Sequence, residues 1–176
     1  MIFTETPLPG AFVLDPERLA DERGFFARIY DPRELAGRGL NPNVEQASIS
    51  FNPKKGTLRG MHFQKPPFAE VKIVRCTRGA VHDVIIDLRR DSMSHGQHFG
   101  IRLDAEDRRL LYVPEGFAHG YLTLTDDAEV TYQISARYSP EHAMGVRWND
   151  PAFGIEWPGP VVLINERDRT YPDYRA

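Results

Sequence analysis

A chain of 176 residues with 41% hydrophobic and 27% charged residues has the length and mix of one folded unit, so neither a disordered nor a fibrous protein fits. Its 22 Lys and Arg against 25 Asp and Glu leave a formal charge of -3, and the basic pairs Lys54-Lys55, Arg89-Arg90 and Arg108-Arg109 lie scattered, which argues against a nucleic-acid partner. No apolar run approaches the roughly 20 residues of a membrane span, Met1 to Gly10 lacks the basic flank and apolar stretch of a leader, and the lone cysteine, Cys76, excludes an internal disulfide. The expectation is a soluble, cytoplasmic chain with one domain over 1–176, without a membrane or nucleic-acid role.

Taken in chain order, Asp31 followed by Pro32 reads as the N-cap and first position of a short helix that stops by Gly37. From Val44 the pattern alternates: Ala47, Ile49 and Phe51 share one strand face, and Gln46, Ser48 and Ser50 line the other, a polar face regular enough to border a cavity. Further strands are predicted at 71–76, 80–88, 99–103, 110–113, 120–124 and 128–135, rich in Val, Ile, Tyr and Thr and spaced for an antiparallel sandwich or barrel. Ser139 with Pro140 repeats the helix-start signature before Gly145. Trp148, Pro151, Phe153, Ile155 and Trp157 then form an aromatic tail suited to sealing a core edge or a subunit contact. Any helices are peripheral, and the architecture is all-β.

Two stretches carry the chemistry: GTLRGMHFQKPPFAEVKIVRCTRG, from Gly56 to Gly79, and PEGFAH, from Pro114 to His119. They resemble the paired motifs of the cupin superfamily, which implies a jelly-roll barrel. Metal-binding cupins place two His and a Glu in the first motif and one His in the second. Here His62 and His119 keep the outer positions, while Gln64 stands for the second His and Lys72 for the Glu. An ammonium offers no lone pair and repels a cation, so no metal is expected. If Lys72 points into the barrel, opposite Val71 and Ile73, it brings a fixed positive charge able to stabilise an oxyanion. The alternative is a strand-edge lysine paired with Glu70 or Asp83.

The blocks DERGFF, LRGMHFQ, KIVRCTRG, VPEGFAHG, WNDPAFGIEWP and NERD sharpen the likeness. In that order they resemble the dTDP-4-dehydrorhamnose 3,5-epimerase family, from about residue 5 to residue 172. The resemblance implies a cofactor-independent epimerase that inverts C3, C5 or both in a nucleoside-diphosphate 4-keto-6-deoxyhexose. A hydrogen next to a ketone is removed when a base reaches it and the carbonyl oxygen's growing charge is stabilised; an acid then returns a proton to the other face. By resemblance His62 is the base, Asp168 the carboxylate that fixes its tautomer, Lys72 the oxyanion stabiliser and Tyr132 the acid. Residue by residue, Asp168 reads equally as a loop carboxylate beside Arg167 or Arg169, and Tyr132, which shares a face with Val130 and Ile134, as a core tyrosine.

Substrate contacts implied by the same likeness are Arg23 and Arg59 for the diphosphate, His119 beside the sugar, and Phe26 and Tyr138 near the base. His119 has the alternative of capping the turn after Pro114. Gln46, Ser48, Arg28 and Arg167 complete the candidate wall. Several of these depart from the family pattern: Arg28 replaces a Glu, Ser48 an Asn, Glu70 a Gln and Arg167 a Lys, while Ala143 stands near an often acidic position. Exchanging an acid for an arginine inverts the local charge, which suggests a base other than thymine, such as the cytosine of a CDP-sugar. Family members are homodimers in which an N-terminal strand crosses to the partner's pocket, and a homodimer is expected here. Two other readings are a non-catalytic nucleotide-sugar-binding barrel, which would bind without proton exchange, and a metal-dependent cupin, which Gln64 and Lys72 oppose.

Overall fold

Short β-branched and aromatic runs cut by Gly and Pro leave little room for helix, and the computed structural model, which describes residues 1–175, is built almost wholly of strands. Numbered in chain order, β1 (Ile2–Glu5), β2 (Phe12–Asp15), β10 (Leu110–Val113), β7 (Lys72–Arg78), β12 (Ala128–Ile134) and β5 (Gln46–Asn52) lie side by side in a six-stranded sheet. A five-stranded sheet runs β13 (Ala143–Gly145), β6 (Leu58–Gln64), β11 (Phe117–Thr123), β8 (Ala80–Asp87), β9 (His98–Asp104). The hairpin of β3 (Arg18–Asp21) and β4 (Gly24–Ala27) stands apart as its own sheet. Pairing between named strands is antiparallel throughout.

The alternation expected for 44–52 and 71–76 sets what faces the barrel interior. Val74, Cys76 and Val130 of the six-stranded sheet meet Val81, Ile85 and Tyr121 of the five-stranded sheet in one buried cluster. On the outer side of the first sheet, Ile73 and Tyr112 pack with Leu35, the buried residue of helix α1 (Pro32–Ala36). Asp31 caps that helix by accepting the Arg33 and Glu34 N–H groups, and the cap at Gly37 ends it where the sequence predicts. On the outer side of the second sheet, Phe153, Ile155 and Trp157 cover Met61, Val84 and Ile86, so the aromatic tail seals a core edge.

The predicted strands form within two residues of their expected ends, except that 120–124 starts three residues earlier, at Phe117. A helix after Ser139 does not form. Ser139 Oγ bonds His142 Nδ1 at 2.8 Å, a single turn closes, and from Ala143 the chain pairs with β6 instead. The segment has too few residues to offset helix nucleation, whereas the open edge of β6 supplies backbone partners at once.

Two glycines permit the contact on which the site depends. A Cβ on Gly60, where φ is +138°, would lie 2.5 Å from Gly120 Cα, and one on Gly120 would lie 2.7 Å from the Arg59 carbonyl oxygen. Without side chains there, β6 and β11 close on each other, and His62 and His119 become direct cross-strand neighbours.

Candidate active site

Inward-facing residues of both sheets leave a cavity of about 460 Å³. His62 and His119 enter it from the five-stranded sheet; Lys72 and Tyr132 enter from the six-stranded sheet, on adjacent strands. The polar face of β5 borders it with Gln46, Ser48 and Ser50, as the alternation predicts.

His62 Nε2 lies 2.7 Å from Asp168 Oδ1, although the two are 106 positions apart. Asp168 is fully buried in helix α2 (Glu166–Arg169), where its N–H is capped by Asn165 Oδ1 at 2.7 Å. Its other oxygen accepts the Gly60 N–H at 3.0 Å. The carboxylate is therefore fixed by backbone before it meets the ring. With Nε2–H donating to Asp168, Nδ1 keeps the lone pair a base needs. The imidazole side chain is 40% exposed, so substrate reaches it.

Lys72 lies inside the barrel, with Nζ 3.3 Å from the His62 carbonyl oxygen. Both readings of this lysine hold together, because it also pairs with Glu70 at 3.0 Å without leaving the cavity. Glu70 Oε2 accepts from Gln64 Nε2 at 2.8 Å, and Gln64 Oε1 accepts the Ser139 N–H at 2.7 Å. Gln64 thus serves as a brace. By the resemblance of their motifs, His62, Gln64, Lys72 and His119 correspond to the cupin metal positions, with an ammonium where a carboxylate ligand would be. Among the described residues no group of three His, Cys, Asp or Glu side chains is gathered for a metal.

Tyr132 is half-buried at the cavity wall, and desolvation first, then the neighbouring Tyr121, hold its phenol well above its ordinary pKa. His119 does not cap the turn after Pro114. Its Nε2–H forks onto both oxygens of buried Asp83, at 3.0 Å each, and its ring lies edge-on to Tyr132.

Of the remaining candidates, Arg59, Tyr138 and Arg167 border the cavity with Gln46, Ser48 and His119. Arg59 Nε donates to Asn52 Oδ1 at 2.8 Å, and the Tyr138 N–H donates to Gln46 Oε1 at 2.9 Å. Hydrogen bonding to Tyr138 raises the pKa of Arg167 further above its ordinary value. Arg23, Phe26 and Arg28 are not brought to this cavity. Arg23 and Phe26 lie on the β3–β4 hairpin, 85% and 67% exposed, and Arg23 is bound to Asp21. Arg28 follows the hairpin and pairs with Asp31 at 3.4 Å.

The sequence reading did not single out Tyr121, whose hydroxyl meets Ser50 Oγ at 2.8 Å and Asn52 Nδ2 at 3.1 Å beside the cavity. A signal was available: Tyr121 is two positions from His119, on the same strand face.

The model of the family described as dTDP-4-dehydrorhamnose 3,5-epimerase matches residues 5–176. The chain belongs to that family. The dTDP-4-dehydrorhamnose 3,5-epimerase of Salmonella typhimurium is 44% identical over 161 residues, covering 90% of this chain and 86% of the relative. The crystal structure of the Elizabethkingia anophelis dTDP-4-dehydrorhamnose 3,5-epimerase superposes with a TM-score of 0.96 at 36% identity, over 99% of this chain and 96% of the other. A structure of the Bacillus anthracis enzyme with TDP and PPi bound gives a TM-score of 0.93 at 39% identity, over 98% and 99%. The protein is an epimerase with the cupin-type barrel of this family. No helix among the described residues is long and apolar enough to cross a membrane.

Proposed function

We propose that this epimerase acts on dTDP-4-keto-6-deoxyglucose, inverting C5 and C3 with His62 as base, Lys72 as enolate anchor and Tyr132 as acid. The observation that carries this reading is the placement of base and acid on opposite sheets with the ammonium between them in sequence and inside the same cavity. C3 and C5 both flank the C4 carbonyl, so one positive charge at that oxygen serves either abstraction. His62 Nδ1 takes the hydrogen from one ring face, Asp168 stabilises the charge that forms on the imidazole, and Tyr132 delivers its proton from the other face. The sequence of proton losses and gains is redox-neutral and calls for no cofactor.

Arg59 and Arg167 at the cavity wall suit the diphosphate, and the relative with TDP bound supports thymidine as the nucleoside. Arg28, the residue that suggested cytosine, lies outside this chain's own cavity but directly follows the hairpin that a dimer would carry to the partner's cavity, so the CDP-sugar arm of the test below decides between the bases. The whole chain serves as one domain in this reading, and the buried, unpaired Cys76 suits a reducing cytoplasm.

A homodimer completes the site. The hairpin carrying Arg23 and Phe26 exposes Leu19 and Phe26 at 69% and 67%, and the outer face of edge strand β5 exposes Ile49 at 63%. Beside Ile49, Arg75 Nε and Gln133 Oε1 are buried without partners. A second copy whose hairpin reaches this chain's cavity would bring Arg23 to the phosphates. Mixing inactive His62→Ala protein with Arg23→Ala protein should then restore activity, because each mixed dimer holds one wholly native site.

The reaction itself is tested in deuterated water with dTDP- and CDP-4-keto-6-deoxyglucose. Solvent deuterium should enter C5 and C3 of the dTDP-sugar, and His62→Ala should abolish it. Absence of exchange with either sugar would overturn the reading, and exchange confined to the CDP-sugar would overturn the nucleoside.

A further inference from the structure

Gly145 has no backbone reason to be a glycine, because its φ is not among the positive ones. A Cβ there would nevertheless lie 2.2 Å from Tyr171 Cζ, 2.3 Å from Cε2 and 2.7 Å from the hydroxyl oxygen. The phenol of Tyr171 therefore lies against the bare Cα of β13, in the space a side chain at 145 would fill. Gly145 is the direct cross-strand partner of His62. Opposed residues of a strand pair share a face, so the Tyr171 ring stands where the neighbour of the base would stand. The two rings meet edge-on, with centroids 6.4 Å apart and planes at 70°.

The hydroxyl does not explain this placement. It is buried without a hydrogen-bond partner among the described residues, which costs stability instead of adding to it. The ring is what is held. The Arg167 guanidinium lies over it at 5.8 Å and donates to the Ala143 carbonyl of β13 at 3.1 Å. The chain is also fixed on both sides of Tyr171. Three residues earlier, buried Asp168 is bonded to His62; beyond it, Asp173 pairs with Arg147 at 2.5 Å and the Tyr174 N–H donates to Asp150 Oδ2 at 2.6 Å.

A base placed like His62 needs such a neighbour. The Asp168 bond holds Nε2, on the far side of the ring from Cγ and close to the axis about which the ring turns, so it resists that turn weakly. The χ2 well of a histidine is itself broad. Turning the ring swings Nδ1, the atom that takes the hydrogen, out of line with the C–H bond. We propose that Tyr171 is a positioning residue for His62, its ring setting the plane of the imidazole from the β13 side. This rests on His62 being the base of the epimerisation proposed above.

Ring and hydroxyl can be tested apart. Tyr171→Phe deletes only the unpartnered hydroxyl, and should leave kcat and KM within about twofold of native with Tm unchanged or raised. Tyr171→Leu removes the flat ring. Its kcat for deuterium entry from deuterated water should fall about tenfold or more, as expected for a misplaced reacting group, while KM stays within about twofold because Tyr171 does not line the cavity. A purely structural Tyr171 would give a Leu variant with lowered Tm and native kcat, and that result overturns the proposal. An equal loss of kcat in the Phe and Leu variants overturns it as well. If Tyr171→Leu does not fold, Gly145→Ala, whose methyl must push the ring away, carries the same expectation, and a native kcat there overturns the proposal instead. Failure of the underlying reading looks different: native protein would show no exchange, or His62→Ala would keep it.

Discussion

Replacing Lys72 by Met keeps the side chain's length and removes its charge, and the structure separates two costs. The first is chemical. An oxyanion donor inside a cavity is worth about 100- to 1,000-fold in kcat, so Lys72→Met should lose about that much while substrate still binds through the phosphate wall. The second is structural. Glu70 is 11% exposed and keeps only Gln64 as a side-chain partner once its ion pair is gone. A nearly buried acceptor left short of partners costs about 1–3 kcal/mol, and about 2–4 °C per kcal/mol applies at this size, so Tm should fall by a few to about 10 °C. The double variant Glu70→Gln, Lys72→Met removes the stranded charge. It should recover most of the Tm and none of the rate. Turnover followed by deuterium entry, with melting by circular dichroism, measures both. Recovery of rate in the double variant, or near-native turnover of Lys72→Met, would refute the assignment of the ammonium to the enolate.

Other perturbations read different parts of the molecule. Burial alone would raise the Asp87 pKa, but hydrogen bonds from Arg89, Ser92 and Ser94 outweigh it and hold the carboxyl well below its ordinary range. Because the folded value is depressed, its stabilisation is present above the unfolded pKa of about 3.9 and is lost as pH falls toward the folded one. Asp87→Asn should cost about 3 kcal/mol at pH 7 by urea denaturation, and the gap to native protein should shrink below about pH 4. Burial pushes the Cys76 thiol up to about 11, so an aromatic disulfide reagent at pH 8 should label it only at the rate of global unfolding; fast labelling of native protein would contradict its burial. Gly120→Ala places a methyl 2.6 Å from Met61 Sδ and 2.7 Å from the Arg59 carbonyl oxygen. It should lower stability by about 1–3 kcal/mol and separate His62 from His119, with activity lost faster than stability.

Strand periodicity made most of the barrel readable, because each inward residue must be apolar or functional. The alternation of Ala47, Ile49 and Phe51 with Gln46, Ser48 and Ser50 marks the face of β5 that meets the cavity, whereas beside Val71 and Ile73 it allows Lys72 an inward place and leaves open a strand-edge pair with Glu70 or Asp83. Alternation does not pair distant strands. The His62–Asp168 contact was reachable only through a family likeness, since a short helix delivers the carboxylate across 106 positions. After Ser139 the helix-start signal is real, but the helix it announces is too short to hold against the free edge of β6. The β3–β4 hairpin carries little sequence signal for a different reason. Its residues are mostly exposed, so nothing inside one chain constrains their pattern.

The barrel also explains why this chemistry suits a cupin frame. A sandwich offers two facing walls, and inversion requires two faces. In the proposed mechanism the base on β6 and the acid on β12 would meet the sugar ring from opposite sheets. Lys72 stands one strand from Tyr132 and within reach of the His62 backbone, so the charge proposed to stabilise the enolate is tied to both walls. With Lys72 where metal-binding cupins carry the Glu and Gln64 where they carry the second His, the proposed mechanism has an ammonium hold the oxyanion directly, while Gln64 braces Glu70 against that ammonium. Preorganisation of this kind is why the rate should depend far more on the exact direction of Tyr132 and Lys72 than on the affinity of the phosphate wall.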